Sequence, residues 1–527
     1  MPIGTLQRIQ SNEIPEYPIA PPFSGIQSEM SAADVEKVGG FVDCRNFMLW
    51  NCRARMRPGV VPLPGLTDPI LGSATFFDLT GDRHQVAITQ TGLYEFNSTT
   101  QTWVHKTGAL TGNSDQLFSS DVVGYKLLFC QGVDNIQVWD GVSGTIGPVS
   151  PNSFPSKFLM ELNGHLVAMN TVEGGQQFPQ RLRWSGQNDP SDWTSFNAGI
   201  NDLLDNLGPI YGGKKVSQQG LLIRADGVTQ MIPTGIGIAP FEWFPLGSSE
   251  HGCGFPYSIA ALSDIGCFYV AKDNVYLIDS GFNFIPIGSR PIDGGLRVGA
   301  RTAILAELQK ANVNTVNSFV CVAINGVDYL SYWLVIPGQS TWVYNISEGN
   351  WTRFTWGSTP VNVISKFYNS LEPTWASSVG IWSAQTATWE SLDKINPFDL
   401  VFIGRSDGTT GQIDFSIYSE EDATIIGPQH SYQDRRHIKT FERFRIGYED
   451  LGAFSGQCTF STDFGYSTIV NFDGGTGTGL VKELVANATK ISGVFHSWEV
   501  DVDAGVPASF TEFAPLYVTG GEFKNNP

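Results

Sequence analysis

Five apolar, strand-length segments recur along the chain at nearly constant spacing. Tyr94, Val138, Trp184, Gln230 and Leu277 hold equivalent places in them, on what reads as the second strand of each repeat, and the steps are 44, 46, 46 and 47 residues. Each segment is rich in Val, Ile, Phe, Tyr and Trp and is broken at tight turns such as Asp226-Gly227 and Asp273-Asn274. That pattern favours antiparallel strands over helices. A period in the forties made of four short strands is the signature of a β-propeller blade. The single Trp139-Asp140 dipeptide does not define a WD-type repeat.

Repeats are read over 74–104, 121–149, a segment built from SKFLMELNGHLVAMNT and RLRWSGQ, and the stretch from Arg181 to Gly288. Residues 290–317 interrupt the period and hold the best helical pattern, with Ala300, Ile304, Leu305 and Leu308 at helix spacing. Strands resume over 318–354 and 360–417. The expected fold is therefore all-β: a propeller of about seven blades with one inserted helix, closed by strands from both chain ends. Residues 1–40 read as an extended arm, in which SAADVEKV could form a short helix capped by Ser31. Residues 41–419 read as the propeller and 420–527 as a C-terminal β domain, a sandwich or small sheet around the GGTGTG loop at 474–479.

Composition sets limits on function. The net charge of −19 argues against a general nucleic-acid binder. It divides as 0 over residues 1–60 (six acidic, six basic), −7 over 420–527 (fifteen acidic, eight basic), and hence −12 over 61–419. The seven cysteines (44, 52, 130, 253, 267, 321 and 458) form no CxxC pair, which points to buried reduced thiols. Apolar runs such as YLSYWLVIP at 329–337 are too short to span a bilayer, so no membrane anchor is expected.

Chemistry-bearing motifs are scarce. GxxxxGK[ST], HExxH and GxSxG are absent from the sequence, and the seven histidines lack ligand spacing. STDFGYST at 461–468 resembles an Asp-box but carries Thr468 where that box has Trp, and reads as a hairpin. Asp501 and Asp503 resemble half a calcium loop and read as a solvated turn. Asp189 with Asp192, or Asp202 with Asp205, could pair in a glycosidase cleft, but 51 acidic residues generate such pairs by chance. No catalytic residue, metal or cofactor is assigned. Arg45, Arg53, Arg55 and Arg57 form the one basic cluster. Three of them alternate, as on one face of a strand, which suggests a partner-docking surface; pairing with the chain's own carboxylates is the competing explanation.

Three stretches carry a family resemblance. They are RMRPGV at Arg55–Val60, RLRWSGQNDPSDWTSF with LLDNLGPI, LLIRADGVTQMIP and GCGFPYSIAAL, and the passage ending TWVYNISEGNWTRF, with a fainter echo in IGRSDGTTGQI. In this order they resemble the nozzle or hub structural proteins of short-tailed bacteriophage tails. The resemblance implies a propeller core and a non-enzymatic role in the virion after synthesis in the host cytoplasm. It further implies a six-fold ring of identical subunits below the portal and the head-to-tail adaptor. Double-stranded DNA would pass without base-specific contacts, and a tail fibre, tailspike or tail needle would mount on the ring. The alternative is a propeller that binds or hydrolyses carbohydrate, with surface Trp residues stacking on sugars. An acidic inner wall that repels passing DNA is the mechanistic expectation of the ring reading.

Overall fold

A computed structural model describes residues 18–247, 251–292, 295–324, 327–367, 400–430, 437–493 and 495–522. The chain forms two compact units: Pro58–Gly349 with Arg353–Ile417, and Met1–Arg57 with Asn350–Thr352 and Tyr418–Pro527.

The larger unit is a β-propeller of antiparallel four-stranded sheets. Blade 1 runs through Ile70–Phe77, Arg83–Thr89, Leu93–Asn97 and Thr102–Lys106. Blade 2 comprises Ser119–Val123, Lys126–Cys130, Gln137–Trp139 and Gly147–Pro148. Blade 3 comprises Ser156–Leu162, His165–Glu173, Gln176–Trp184 and Gly199–Asp202. Blade 4 comprises Ile210–Val216, Gln219–Arg224, Gly227–Pro233 and Phe241–Leu246. Blade 5 comprises Ala260–Leu262, Gly266–Val270, Val275–Asp279 and Phe284–Pro286. A further quartet, Asn317–Ile324, Val327–Val335, Thr341–Asn345 and Asn350–Phe354, occupies the next place in the ring.

The closing blade takes Val361–Phe367, Leu400–Arg405 and Thr410–Tyr418 from late in the chain and Pro58–Leu63 from early in it. The expected mixing of strands from both ends is thus present, and Thr410 Oγ1 donates to Pro64 O at 2.7 Å across that junction. Six four-stranded sheets stand free as blades, one fewer than the seven expected, because the 317–354 quartet belongs to a larger sheet.

The continuous apolar runs have a simple cause. Alternate residues of a strand face opposite neighbours, and in a propeller both neighbours are blades. In blade 3, Val167 and Met169 join the core shared with blade 4, whereas Leu166 and Ala168 join the core shared with blade 2. In blade 4, Leu222 faces blade 3 while Leu221 and Ile223 face blade 5. Each such side chain contributes about 1.5–3 kcal/mol on burial. The five residues that mark the sequence period all fall on the third strand of their blades, not the second.

The inserted segment is shorter in helix than expected. Its first part is a hairpin, Ser289–Pro291 with Arg297–Gly299, and only Arg301–Leu308 is α-helical. Ile304 and Leu308, one turn apart, are the helix's buried residues. Glu307 ties the helix to the quartet by accepting from Trp342 Nε1 at 2.8 Å and from Ser340 N at 3.2 Å.

The smaller unit is a sandwich of two sheets. One contains Phe47–Trp50, Arg53–Met56, Ser509–Glu522, His437–Glu449 and Val481–Gly493, in that order. The other contains Asp43–Arg45, Ala423–Ile426, His496–Val502, Phe454–Thr462 and Ser467–Gly474. Aromatic side chains fill the space between, with Phe441 on Phe460 at 4.6 Å and Phe444 on Trp498 at 5.0 Å between ring centres. Residues 41–57, expected in the propeller, therefore belong to this sandwich. The arm also packs here: Ile19 pairs with Phe513, and Phe23 and Ile26 are buried. The expected short helix shrinks to a 3-10 turn over Val35–Val38, and no side chain caps it.

The GGTGTG loop has a fixed role in this unit. Gly475, Gly477 and Gly479 adopt φ of 82°, 80° and 69°, a region that side chains with a Cβ rarely enter. The loop thereby turns the N–H groups of Thr476, Gly477 and Thr478 onto the buried carboxylate of Asp450, which also takes Lys482 Nζ at 2.5 Å. Burial raises the Asp450 pKa, but Lys482 and Thr478 outweigh it and hold the carboxyl well below its usual range.

Candidate functional site

The innermost strands of the propeller enclose an axial cavity of about 230 Å³. Each innermost strand is an edge of its sheet, so its outer backbone groups face the axis. Polar side chains link these strands around the ring. Ser365 Oγ lies 2.9 Å from Ser73 Oγ, Asn362 Nδ2 donates to Ile70 O at 3.3 Å, and Leu159 N donates to Ser119 Oγ at 3.1 Å. Tyr257, on the 3-10 turn Pro256–Ser258, packs against the blade 3–4 core and also against the core of blade 1 and the closing blade. Its ring therefore crosses the axis. Burial pushes the Tyr257 hydroxyl well above the usual phenol range.

Ser120, Ser318 and Lys214 also line the cavity. Lys214 is the only charged side chain among the described lining residues. Nearby, Asp121 gives both oxygens to backbone N–H groups, those of Glu161 at 2.8 Å and Val122 at 2.8 Å, and burial raises its pKa. Sequence reasoning missed this site. Its trace was the recurrence of Ser or Gly in GSAT, FSSD, YGGKK, NSFV and ISKF, where five of the seven innermost strands run.

The arginine cluster does not converge on one exposed surface. Arg57 is fully buried, with Nε donating to Asn46 Oδ1 at 3.1 Å and Nη2 lying 3.3 Å from Glu420. Arg53 pairs with Glu449 at 2.5 Å, and Arg45 donates to Thr424 Oγ1 at 2.7 Å. Arg55 is half-buried on the same strand as Arg53. The cluster is thus engaged within the sandwich.

The carboxylate pairs are spent on structure. Asp189 accepts from Ser191 N at 3.0 Å, and Asp192 accepts from Thr194 N and Ser195 N, each at 3.0 Å. Asp202 grips Arg181 bidentately at 2.7 and 2.8 Å, and Asp205 pairs with Arg224. These bonds, from Ser195 first in one case and Arg181 first in the other, hold Asp192 and Asp202 below the usual carboxylate range. STDFGYST is a hairpin with Ser461 opposite Ser467. Asp501 accepts from Thr424 Oγ1 at 2.8 Å and Asp503 from Ser455, so both sit in side-chain bonds at the sandwich surface.

A second feature lies on one propeller face. In blades 1 to 5 the hairpins joining strand 1 to 2 and strand 3 to 4 emerge on the same side. They expose Leu79 at 81%, Tyr125 at 58%, Val142 at 74%, Phe196 at 76% and Ile238 at 79%. These residues belong to four consecutive blades. The hairpins also approach one another: a Cβ on Gly141 would meet Asp78 and His84, and one on Gly237 would meet Phe196. Scattered single apolar residues are ordinary, whereas these five recur on one face of four consecutive blades.

No family model matches the chain, and no curated protein matches it. Solved structures with similar folds include the WD40 repeats of RRP9, at 8% identity and a TM-score of 0.40, covering 68% of this chain and 99% of that one. Another is the Pan2 WD40 domain of Neurospora crassa, at 11% identity and a TM-score of 0.39, covering 69% of this chain and 96% of that one. YCF48 from Cyanidioschyzon merolae is similar at 13% identity and a TM-score of 0.39, covering 68% and 99%. At such identities the likeness concerns fold alone.

Proposed function

We propose that this β-propeller protein is a non-catalytic structural subunit of a short-tailed phage tail, assembling with copies of itself into a closed ring. The observation that carries the reading is the apolar arc of Leu79, Tyr125, Val142, Phe196 and Ile238 across four consecutive blades, which a neighbouring copy would cover. The tail assignment itself comes from the resemblance in 41–357. The head-to-tail adaptor and a fibre, spike or needle are the partners it adds. Duplex DNA would run between subunits: a cavity of about 230 Å³ holds a handful of water molecules at ~30 Å³ each and cannot pass a duplex. The carbohydrate reading gains no support from tryptophan, since no described Trp is among the exposed large side chains.

The test is stoichiometric. Quantitative mass spectrometry of purified tails should find about six copies of the chain per particle, as closure of a heterologous ring requires. Mass photometry of the isolated chain, with and without the Phe196→Ser and Ile238→Ser substitutions, should show self-association that the substitutions weaken. A chain missing from tails, or present once per tail, would sink the proposal.

A further inference from the structure

We propose that the axial cavity is a binding site for a small oxyanion, a carboxylate or phosphate group held between Lys214 and Tyr257. Three observations converge on that chemistry.

The first is the unbalanced cation. Lys215, Lys106 and Lys272 each pair with a carboxylate, at 3.0, 2.7 and 2.7 Å respectively. Lys214 has no carboxylate within ion-pair distance among the described residues, although it lines an enclosed space. Asp121 senses its charge but is already saturated by two backbone N–H groups. Asp121 acts on Lys214 through space without pairing with it, so the ammonium keeps its N–H donors for an anion.

The second is the set of donors. Tyr257 Oη and Ser318 Oγ are buried and make no hydrogen bond of ordinary geometry among the described residues, although Gln116 lies beside the first and Tyr332 beside the second. Buried hydroxyls are costly to leave unpaired, and each can donate to an acceptor-only ligand. Ser120 and Ser365 add hydroxyls from the facing strands. No described lining residue carries a carboxylate that would repel an anion.

The third is size. A cavity of about 230 Å³ takes a phosphate or a short carboxylate with a few waters, at ~30 Å³ per water. The site is therefore independent of the ring proposal and would exist in a lone subunit.

The experiment uses the full chain. Thermal unfolding is followed at fixed pH and ionic strength in sodium phosphate, sodium acetate or sodium chloride. A ligand that binds only the folded state raises the midpoint with concentration. Phosphate or acetate, but not chloride, should do so, and whichever acts identifies the oxyanion. Lys214→Met should weaken that response by roughly tenfold or more in concentration, the worth of one charge-assisted bond. Tyr257→Phe, which removes one oxygen without altering shape, should weaken it as well. Should Lys214→Met fail to fold, crystals of the natural protein soaked in selenate decide: an anomalous peak between Lys214 and Tyr257 supports the site. Identical midpoints in the three salts, or a Lys214→Met or Tyr257→Phe response equal to that of the natural chain, overturns it, as does an axis without selenate.

Discussion

Arg224 offers the sharpest test of how neighbouring blades are joined. Its guanidinium is fully buried at the end of the second strand of blade 4. Nε donates to Gly208 O at 3.0 Å, Nη2 donates to Gly208 O at 2.7 Å and to Leu203 O at 3.2 Å, and Nη1 meets Asp205. One side chain thus holds the whole connection from blade 3 to blade 4. Arg224→Met keeps most of the volume but leaves two buried carbonyls without their charged donor. Hydrogen bonds to a charged group are worth about 1.5–3 kcal/mol each and are not additive. Asp205 is 45% exposed, so its ion pair adds about 1 kcal/mol or less. The expected loss is roughly 3–4 kcal/mol. Urea unfolding followed by tryptophan fluorescence reads it as a lower midpoint at unchanged slope. The thermal midpoint should fall by about 4–5 °C in a unit of this size, at ~2.1 cal/mol/K of unfolding entropy per residue. Asp205→Asn should cost under about 1 kcal/mol, because the carbonyls keep their donor. Arg224→Lys should fall between, since a single ammonium cannot span both carbonyls. A loss below about 1 kcal/mol for Arg224→Met, or an equal loss for Asp205→Asn, would refute the reasoning.

Further expectations concern titratable groups and turns. His84 lies between Glu95, 2.6 Å from Nδ1, and Asp78, 3.4 Å from Nε2; burial lowers its pKa, but the two carboxylates prevail and raise it. Its stabilisation is complete below the unfolded value of ~6.5 and is lost as pH rises through the folded value, so His84→Gln should flatten the fall in thermal midpoint above pH ~6.5. Asp450, held low, behaves oppositely: its contribution is present above the unfolded value of ~3.9 and is lost as pH falls through the folded one. Asp450→Ala should accelerate amide exchange at Thr476, Gly477 and Thr478, and unchanged protection there would contradict the cradle. Asp279 accepts from Gly281 N at 2.9 Å and Asn283 N at 2.8 Å, so Asp279→Asn should leave the thermal midpoint nearly unchanged while Asp279→Lys lowers it.

The propeller was legible through its third strands, where Val138 and Trp184 sit among apolar neighbours on both sides. The innermost strands were not. Ser73, Ser120, Gly212, Gly213, Ser318 and Ser365 face the axis, where small and polar residues suit unpaired strand edges, and so they break the apolar runs. The period markers were accordingly taken as second strands where the structure has third ones, although SKFLMEL, the innermost strand of blade 3, fell within its repeat. For the same reason the axial cavity had no motif, only recurring small residues. The domain boundary was hidden differently. FMLW and RARM alternate as a propeller strand would, and nothing local shows that Arg55 lies opposite Ser509 at the far end of the chain. Arg53 and Arg55 share the alternation expected of them, but the strand ends at Met56, and Arg57 is buried against Asn46 and Glu420.

The acidic surplus of the propeller has a local origin. Asp140, Asp189 and Asp279 occupy the same strand 3–4 hairpin in blades 2, 3 and 5, each accepting backbone N–H groups two or more residues ahead. Short hairpins need such acceptors, and Asp supplies them while tolerating turn geometry. Other carboxylates balance cations: Glu161 with Lys215, Asp226 with Lys272, Glu95 with Lys106. Charge is left over on both faces, since Asp134, Asp273 and Asp407 sit between strands 2 and 3 whereas Asp140, Asp189 and Asp279 sit between strands 3 and 4; the axis carries Lys214. Any repulsive wall facing a passing duplex would be built from whichever of these hairpins line the opening when subunits close into a ring. Screening over ~8–10 Å confines its effect to hairpins that approach the duplex closely. The carboxylates suited to charge reversal are then those outside the turns, because reversing Asp140, Asp189 or Asp279 would unmake the hairpin before it changed the field.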